Sequence, residues 1–277
     1  MYIDIHAHLN NDKLYEDAEN VVLRAKNNKV GKIVNASYDR QSIERALILA
    51  ERFENAYANL GVHPHSAFEY DNETEELMLN NKDNQKVIAI GEIGLDYYDL
   101  ETQIAYIKEH CPEVEKLTEE IVKQKQKEIF IKQIELAEKM ELPIVVHSRD
   151  ATNETLEIIK ANKDKLKFGG LIHCFSGSAE IAREYFKLGF YISVGGSITF
   201  KNARNIPDVV RQMGIDHVIL ETDCPYLSPE PFRGKINEPK NVPIVAEKIA
   251  DILDIPYSEV ENTTTNNALK LFSRLRW

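Results

Sequence analysis

Eight short apolar runs, rich in β-branched and aromatic residues, alternate with longer amphipathic stretches along the chain, and this alternation limits the fold more than any other feature. The runs are Tyr2–Ile5, Lys32–Ala36, Tyr57–Val62, Val87–Ile90, Pro143–Val146, Phe168–Ile172, Phe190–Val194 and His217–Leu220. Helical periodicity marks Ala18–Asn28, Gln41–Asn55, Lys127–Glu141, Thr152–Asn162, Ala179–Leu188, Ala203–Met213, Val242–Leu253 and Ser258–Leu275. Strands separated by helices pair in parallel, and parallel strands buried on both faces read as near-continuous apolar runs, as these do. Eight such units predict a closed (β/α)8 TIM barrel rather than a doubly wound sheet. No Gly-x-Gly-x-x-Gly follows any strand, which removes the main signal for a dinucleotide site. A length of 277 residues suits one barrel domain over 1–277.

Composition narrows the class. Hydrophobic residues at 43% and charged residues at 29% exclude disorder as the main state. No stretch approaches the roughly 18 consecutive apolar residues of a membrane span. Met1–His6 has neither a basic nor an apolar signal-peptide region, and Cys111, Cys174 and Cys224 lie far apart, so a cytoplasmic, reducing setting is expected. The net charge of −11 argues against gripping duplex DNA through a broad basic face. A nucleic acid held locally stays open, because bound divalent cations invert the field within a site.

The polar residues sit where a barrel would use them. Strand runs end in His6-Ala7-His8, His63-Pro64-His65, Gly91-Glu92, His147-Ser148-Arg149, His173-Cys174 and Glu221-Thr222-Asp223. In a barrel these C-terminal strand ends share one face, the face on which active sites assemble. His6 and His8, spaced by two, point the same way from an extended strand, as do Glu221 and Asp223 on the last strand, which neighbours the first on closure. Imidazoles and carboxylates together suit zinc, manganese or iron and, with enough oxygen and water, magnesium. Six or seven donors exceed the needs of one catalytic ion, so two ions sharing a carboxylate are expected.

In order from residue 4 to 239, the motifs Asp4-Ile5-His6-Ala7-His8, Gly61-Val62-His63-Pro64, Gly91–Tyr98, Pro143–Arg149, His173–Gly177, Glu221–Leu227 and Arg233–Pro239 resemble the TatD family of metal-dependent deoxyribonucleases, among the amidohydrolase-like metal-dependent hydrolases. The resemblance implies His6, His8 and Asp223 on one divalent ion (Mg2+, Zn2+ or Mn2+), His147 and His173 on a second, and Glu92 bridging them. Asp223 and Glu92 are then the catalytic carboxylates, with Asp223 as general base; Glu221 is the alternative base or the holder of a further ion. His63 lacks a partner at metal spacing and is expected on substrate phosphate. Arg149 and Arg233 are candidates for bidentate phosphate contact, and Tyr97 or Tyr98 for stacking on a base. His65, His110 and His217 are expected to be structural, and Cys174 and Cys224 to be buried, inert thiols facing away from the ions.

Against the family pattern the chain is longer by about twenty residues after the fourth strand. The insertion, about 101–124, carries six glutamates and two lysines between Glu101 and Glu120 and is expected on the catalytic face, where it would bear on substrate choice. The resulting expectation is a hydrolase of ester bonds, foremost a deoxyribonuclease acting on single-stranded ends of DNA. No membrane and no obligate protein partner are expected. The same clamp would serve a carboxylic ester such as the aminoacyl bond of a D-aminoacyl-tRNA, and a non-catalytic metal-binding scaffold is the remaining reading.

Overall fold

Strand follows helix through the chain until eight parallel strands stand side by side in sequence order. They are β1 (Tyr2–Ala7), β2 (Val30–Ala36), β3 (Ala56–Leu60), β4 (Val87–Asp96), β5 (Ile144–Arg149), β6 (Gly170–Ile172), β7 (Phe190–Val194) and β8 (Val218–Leu220). A parallel bridge between Ala7 and Cys224 links the first strand to the segment leaving the last, giving a nearly closed (β/α)8 TIM barrel. The computed structural model describes residues 1–112, 114 and 116–276. Ten α-helices are described: α1 (Ala18–Asn27), α2 (Arg40–Arg52), α3 (Asn72–Leu79), α4 (Leu100–His110), α5 (Glu119–Met140), α6 (Thr152–Ala161), α7 (Ala179–Lys187), α8 (Asn205–Met213), α9 (Val242–Leu253) and α10 (Tyr257–Leu271).

Alternating residues divide the barrel into two apolar layers. Ile3, Ile5, Val34, Tyr57, Ile88, Val145, Leu171, Tyr191 and Ile219 form one cluster with Leu271, Phe272 and Leu275, from the end of α10 and the segment after it. Residues of the opposite parity, among them Ile33, Val87, Ile144, Val146, Ile172 and Ile192, pack in a second cluster with the helices. Closure at the seam is polar as well as apolar. Asp4 on β1 accepts hydrogen bonds from the Thr222 backbone N–H and hydroxyl, and burial pushes its carboxyl up to about 8 despite those bonds.

Several boundaries differ from the sequence expectation, each for a local reason. β4 runs on past Ile90 to Asp96, because Ile93–Asp96 pair with Val146–Arg149 although Gly91 and Gly94 interrupt the apolar run. α5 begins at Glu119 rather than Lys127, capped by the Thr118 side chain and carrying Glu119 and Glu120 in its first turn, where the helix dipole favours acids. α3 is too polar for periodicity to reveal, yet Asp71 caps it through the Thr74 N–H at 2.8 Å. Residues 101–124, expected to be an insertion, fold as α4 and the start of α5. Leu100, Ile107, Cys111 and Val122 form a small core against Phe68 and Tyr97. Glu113 and Glu115, part of the acidic stretch read from the sequence, lie outside the described residues.

Gly94 shows how tightly β4 and β5 meet at the site. It has φ +143°, and a Cβ there would stand 2.0 Å from the His147 carbonyl oxygen. Gly189, at φ +79° in the turn into β7, has open space where its Cβ would be. Gly189→Ala should therefore cost only the left-handed backbone penalty of about 1–2 kcal/mol. Gly94→Ala adds an irreducible backbone clash and should cost about 3 kcal/mol or more. Denaturant unfolding of the two variants checks the contrast; equal losses would show that the approach at Gly94 relaxes freely.

Candidate metal centre

Side chains from five strand ends converge around one carboxylate. Glu92 on β4 is 4% exposed, and its two oxygens face different histidines. Oε1 lies 2.7 Å from His147 Nδ1 and 3.0 Å from His173 Nε2, the first on β5 and the second just past β6. Oε2 lies 3.2 Å from His6 Nε2 and 3.8 Å from His8 Nε2, at the end of β1. Asp223, beyond β8, brings Oδ1 to 3.3 Å from His8 Nε2 and 4.0 Å from His6 Nε2. Two sets of three groups among these, His6–His8–Glu92 and His63–Glu92–His147, have donor atoms close enough to share a metal ion, and so has His6–His173–Glu221.

What the backs of the rings touch decides which nitrogen each offers. A carbonyl or an ionised carboxylate only accepts, so the outward ring nitrogen facing one carries a proton, and the inward nitrogen is the one that can offer a lone pair once a cation displaces any proton it shares with Glu92. His8 donates Nδ1–H to the Ala36 carbonyl at 2.9 Å, which leaves Nε2 open. His147 donates Nε2–H to Asp96 Oδ2 at 3.0 Å, which leaves Nδ1 open. His173 donates Nδ1–H to Glu221 Oε2 at 3.4 Å, which leaves Nε2 open. All three open nitrogens point toward Glu92. His6 Nδ1 has no hydrogen-bond partner among the described residues, while its Nε2 lies 3.2 Å from His8 Nε2, two ring nitrogens meeting as ligands of one cation would.

His63 works the other way round. The fold does bring its Nε2 to 3.6 Å from Glu92 Oε1, a proximity that sequence spacing had not suggested. Its Nδ1, however, accepts the His65 backbone N–H at 3.1 Å, so the proton sits on Nε2 and points into the centre. Burial, reinforced by neighbouring His147, holds this imidazole well below the usual range and therefore neutral. His63 is a hydrogen-bond donor in that tautomer, not a lone pair for a metal.

Electrostatics tie the group together. Burial would raise Glu92, but His173, His63 and His6 together with the His147 bond pull it well below the usual carboxylate range. Burial would lower His173, yet the Glu92 and Glu221 carboxylates hold it well above the ordinary imidazole value. His8 and His147 are raised in the same way by Asp223 and by Asp96 with Glu92, against the pull of burial. Positive charge is wanted at each of these nitrogens.

The remaining candidates fall outside the convergence. Arg149 is exposed, with its guanidinium 3.7 Å from the centroid of Tyr98, whose ring is 51% exposed. Tyr97 is half buried, its hydroxyl bonded to Glu154 and its ring under Lys123, so the accessible aromatic of the pair is Tyr98. Arg233 lies over Phe200 at 4.3 Å. Cys224 is buried; Cys174 is only partly so, and burial followed by Glu221, Asp223 and Glu92 keeps its thiol well above the ordinary value. His110 stacks on Tyr106, and His217 lies between Phe186 and Tyr191. His65, expected to be structural, brings Nε2 to 3.2 Å from Asp96 Oδ2.

Asp96 is the residue that the sequence reading passed over. It is 1% exposed, and His147 and His65 hold it far below the usual carboxylate range although burial opposes this. Its backbone is clamped from the insertion side. Gln126 accepts the Asp96 N–H at 2.9 Å, and Gln103 and Gln126 both donate to its carbonyl. The period-two spacing of Glu92, Gly94 and Asp96 along one strand was the available signal. Glu221, fully buried, accepts from the Ser193 hydroxyl at 2.6 Å and the Cys174 N–H at 2.8 Å as well as from His173.

A barrel whose mouth gathers open imidazole nitrogens on a shared carboxylate belongs with the metal-dependent hydrolases. The sequence model described as TatD related DNase matches residues 3–273. The uncharacterized metal-dependent hydrolase YabD of Bacillus subtilis is 42% identical over 98% of this chain and 99% of its own length. The corresponding hydrolase YcfH of Escherichia coli is 33% identical over 98% and 95%. The crystal structure of YjjV, a TatD homologue from Escherichia coli, superposes with a TM-score of 0.86 at 29% identity over 98% of both chains. The chain belongs to the TatD family, and it is a metal-dependent hydrolase.

Protons and cations compete for the same nitrogens, which gives a pH dependence of known sign. With His8, His147 and His173 raised above the ordinary imidazole value of 6.5, the cation-free protein keeps protons there that an incoming ion must displace. Apparent metal affinity should rise with pH through this range and fall as pH drops. Calorimetric titration in two buffers of different ionisation enthalpy should read net proton release at pH 6. An affinity independent of pH, with no release, would show that these nitrogens are not the ones the ion uses.

Proposed function

We propose that the chain hydrolyses phosphodiester bonds of DNA from the ends of single strands, with two divalent ions. His6, His8 and Asp223 would hold one ion, His147 and His173 the other, and Glu92 would serve both. The observation that carries this reading is the division of Glu92, one oxygen toward each histidine pair, with three of the rings turned so that open nitrogens face inward. An imidazole-rich set of this kind favours zinc or manganese over magnesium, which prefers oxygen ligands. Bound there, the pair of ions would supply Lewis acidity toward the phosphoryl oxygens and acidify the attacking water.

The chain's own groups handle the proton and the substrate. Asp223 stays ionised because the His8 bond and the charge of His173 outweigh burial, so it can accept the proton that water loses as its oxygen attacks phosphorus. The P–O bond opposite the attack breaks, and the leaving oxygen takes a proton from solvent. His63 Nε2–H donates to a phosphate oxygen. At the rim, Tyr98 and Arg149 together offer a π-face and a guanidinium, which suit a base and its phosphate. The family description as a DNase supports the choice of nucleic acid.

Two variants separate holding an ion from gripping substrate. Glu92→Gln removes the charge shared by both ions and should lower metal content and reduce turnover at least a thousandfold, an order typical of losing a central electrostatic group. His63→Ala should retain wild-type metal content by elemental analysis while losing about 10²–10³ in rate. Metal loss in the His63 variant equal to that in His147→Ala would make His63 a ligand and overturn the tautomer argument.

End preference follows from the acidic approach. Glu101 and Glu109 are exposed on α4, beyond the Asp96 end of β4, where a long polyanion laid across the mouth meets like charge while a strand end brings fewer phosphates near. Linear single-stranded DNA should be degraded much faster than a closed circle of the same sequence, and added salt should narrow the gap. Equal rates on circle and line would show that ends are not required.

A further inference from the structure

A cavity lined by basic residues lies one loop away from the metal centre. The segment leaving β7 starts against that centre, since a Cβ on Gly195 would meet Glu221 Cγ at 3.3 Å. Gly196 is pressed against the loop after β8, where a Cβ would stand 2.0 Å from the Leu227 carbonyl oxygen. The chain then delivers Phe200, the ring that carries the Arg233 guanidinium. Phe200 also lines a cavity of about 510 Å³ whose walls present Lys201, Arg204 and Arg211 from the loop and α8, and Lys248 from α9.

Charge makes this cavity unusual for the molecule. Among its lining residues the single carboxylate, Asp208, is engaged by Arg211 at 2.7 Å. Lys201, Arg204 and Lys248 form no ion pair among the described residues, in a chain whose net charge is −11. Unneutralised cations gathered in a concavity focus a positive field and favour an anion there. Guanidinium groups fit phosphate oxygens bidentately, and Phe200 adds a face on which a base can stack.

We infer that this groove carries the phosphodiester backbone of the same single strand whose end reaches the metal centre, several nucleotides from the bond that is cut. The assignment rests on the proposed function for its substrate. It gives Arg233 a place as the step between mouth and groove, where its guanidinium reaches the passing strand. The strand thus enters over α8 and α9, on the far side of the barrel from the acidic insertion, and the two features steer it in the same direction.

The test compares substrate length. A variant with Lys201→Glu, Arg204→Glu and Lys248→Glu is assayed on a 15-nucleotide single strand and on a dinucleotide, which is too short to span mouth and groove. KM for the 15-mer should rise at least tenfold while kcat/KM for the dinucleotide stays within twofold of the native chain. Anisotropy with a fluorescent phosphorothioate 15-mer should show the salt dependence of binding falling by about two in log–log slope, at roughly 0.7 per lost phosphate contact. The corresponding glutamine variant should show smaller losses in the same order, which separates a charge effect from misfolding. Unchanged 15-mer binding, or equal losses on both substrates, would overturn the groove. So would displacement of the 15-mer by a glutamate peptide or inorganic pyrophosphate as efficient, per charge, as by unlabelled DNA. If the native chain binds the 15-mer through these residues and cuts no DNA, the proposed function falls and the groove stands.

Discussion

A buried anion cannot stand alone in a protein interior, and the mouth of this barrel is organised around one. Glu92, 4% exposed, keeps its charge because four imidazoles from β1, β5 and the segment after β6 surround it. Those imidazoles in turn need the carboxylate, since burial disfavours any proton or cation upon them. The arrangement is satisfied by protons or by metal ions, and its geometry suits the second. Barrel closure is what permits it, because no short segment of chain could bring β1, β4, β5, β6 and β8 ends to one carboxylate.

Around that centre lies a ring of groups that face the histidines from behind. The Ala36 carbonyl, Asp96 and Glu221 each accept the proton of one ring and so aim the opposite nitrogen inward. Asp96 is itself held by Gln103 on α4 and Gln126 on α5. A chain of hydrogen bonds therefore runs from α4 through Asp96 to His147. The Gln103 and Gln126 bonds also hold β4 at its catalytic end.

Under the proposed function, the distribution of charge reconciles an acidic protein with a polyanionic substrate. Net charge governs encounter at long range, where salt screens it beyond about 8 Å at physiological ionic strength. At contact distance the local field decides. The metal centre and the groove lined by Lys201, Arg204, Arg211 and Lys248 are both places for anions, and the exposed glutamates of α4 lie away from the groove. On the proposed function, such an arrangement would discourage indiscriminate binding along duplex DNA and favour one orientation of a single strand.

From the sequence alone, the barrel and the donor residues at its mouth were legible, because both depend on patterns that survive in one dimension. Apolar runs alternating with amphipathic helices dictate parallel strands, and His6, His8, Glu92, His147, His173 and Asp223 all fall where those runs end. Strand ends masked by glycines, as in β4, and a helix as polar as α3 escaped the pattern, since their order comes from pairing and capping rather than from periodicity. Tertiary structure alone decided which nitrogen of each ring faces the centre, that His63 turns Nε2 toward Glu92, that Asp96 stands behind His147, and that four cations from α8, α9 and one loop share a cavity. For His8, His147 and His173 the deciding partner lies 2.9–3.4 Å away on a different element. Hydrogen-bond direction is set by that partner's identity and position, and neither is encoded in the local sequence of the residue it controls.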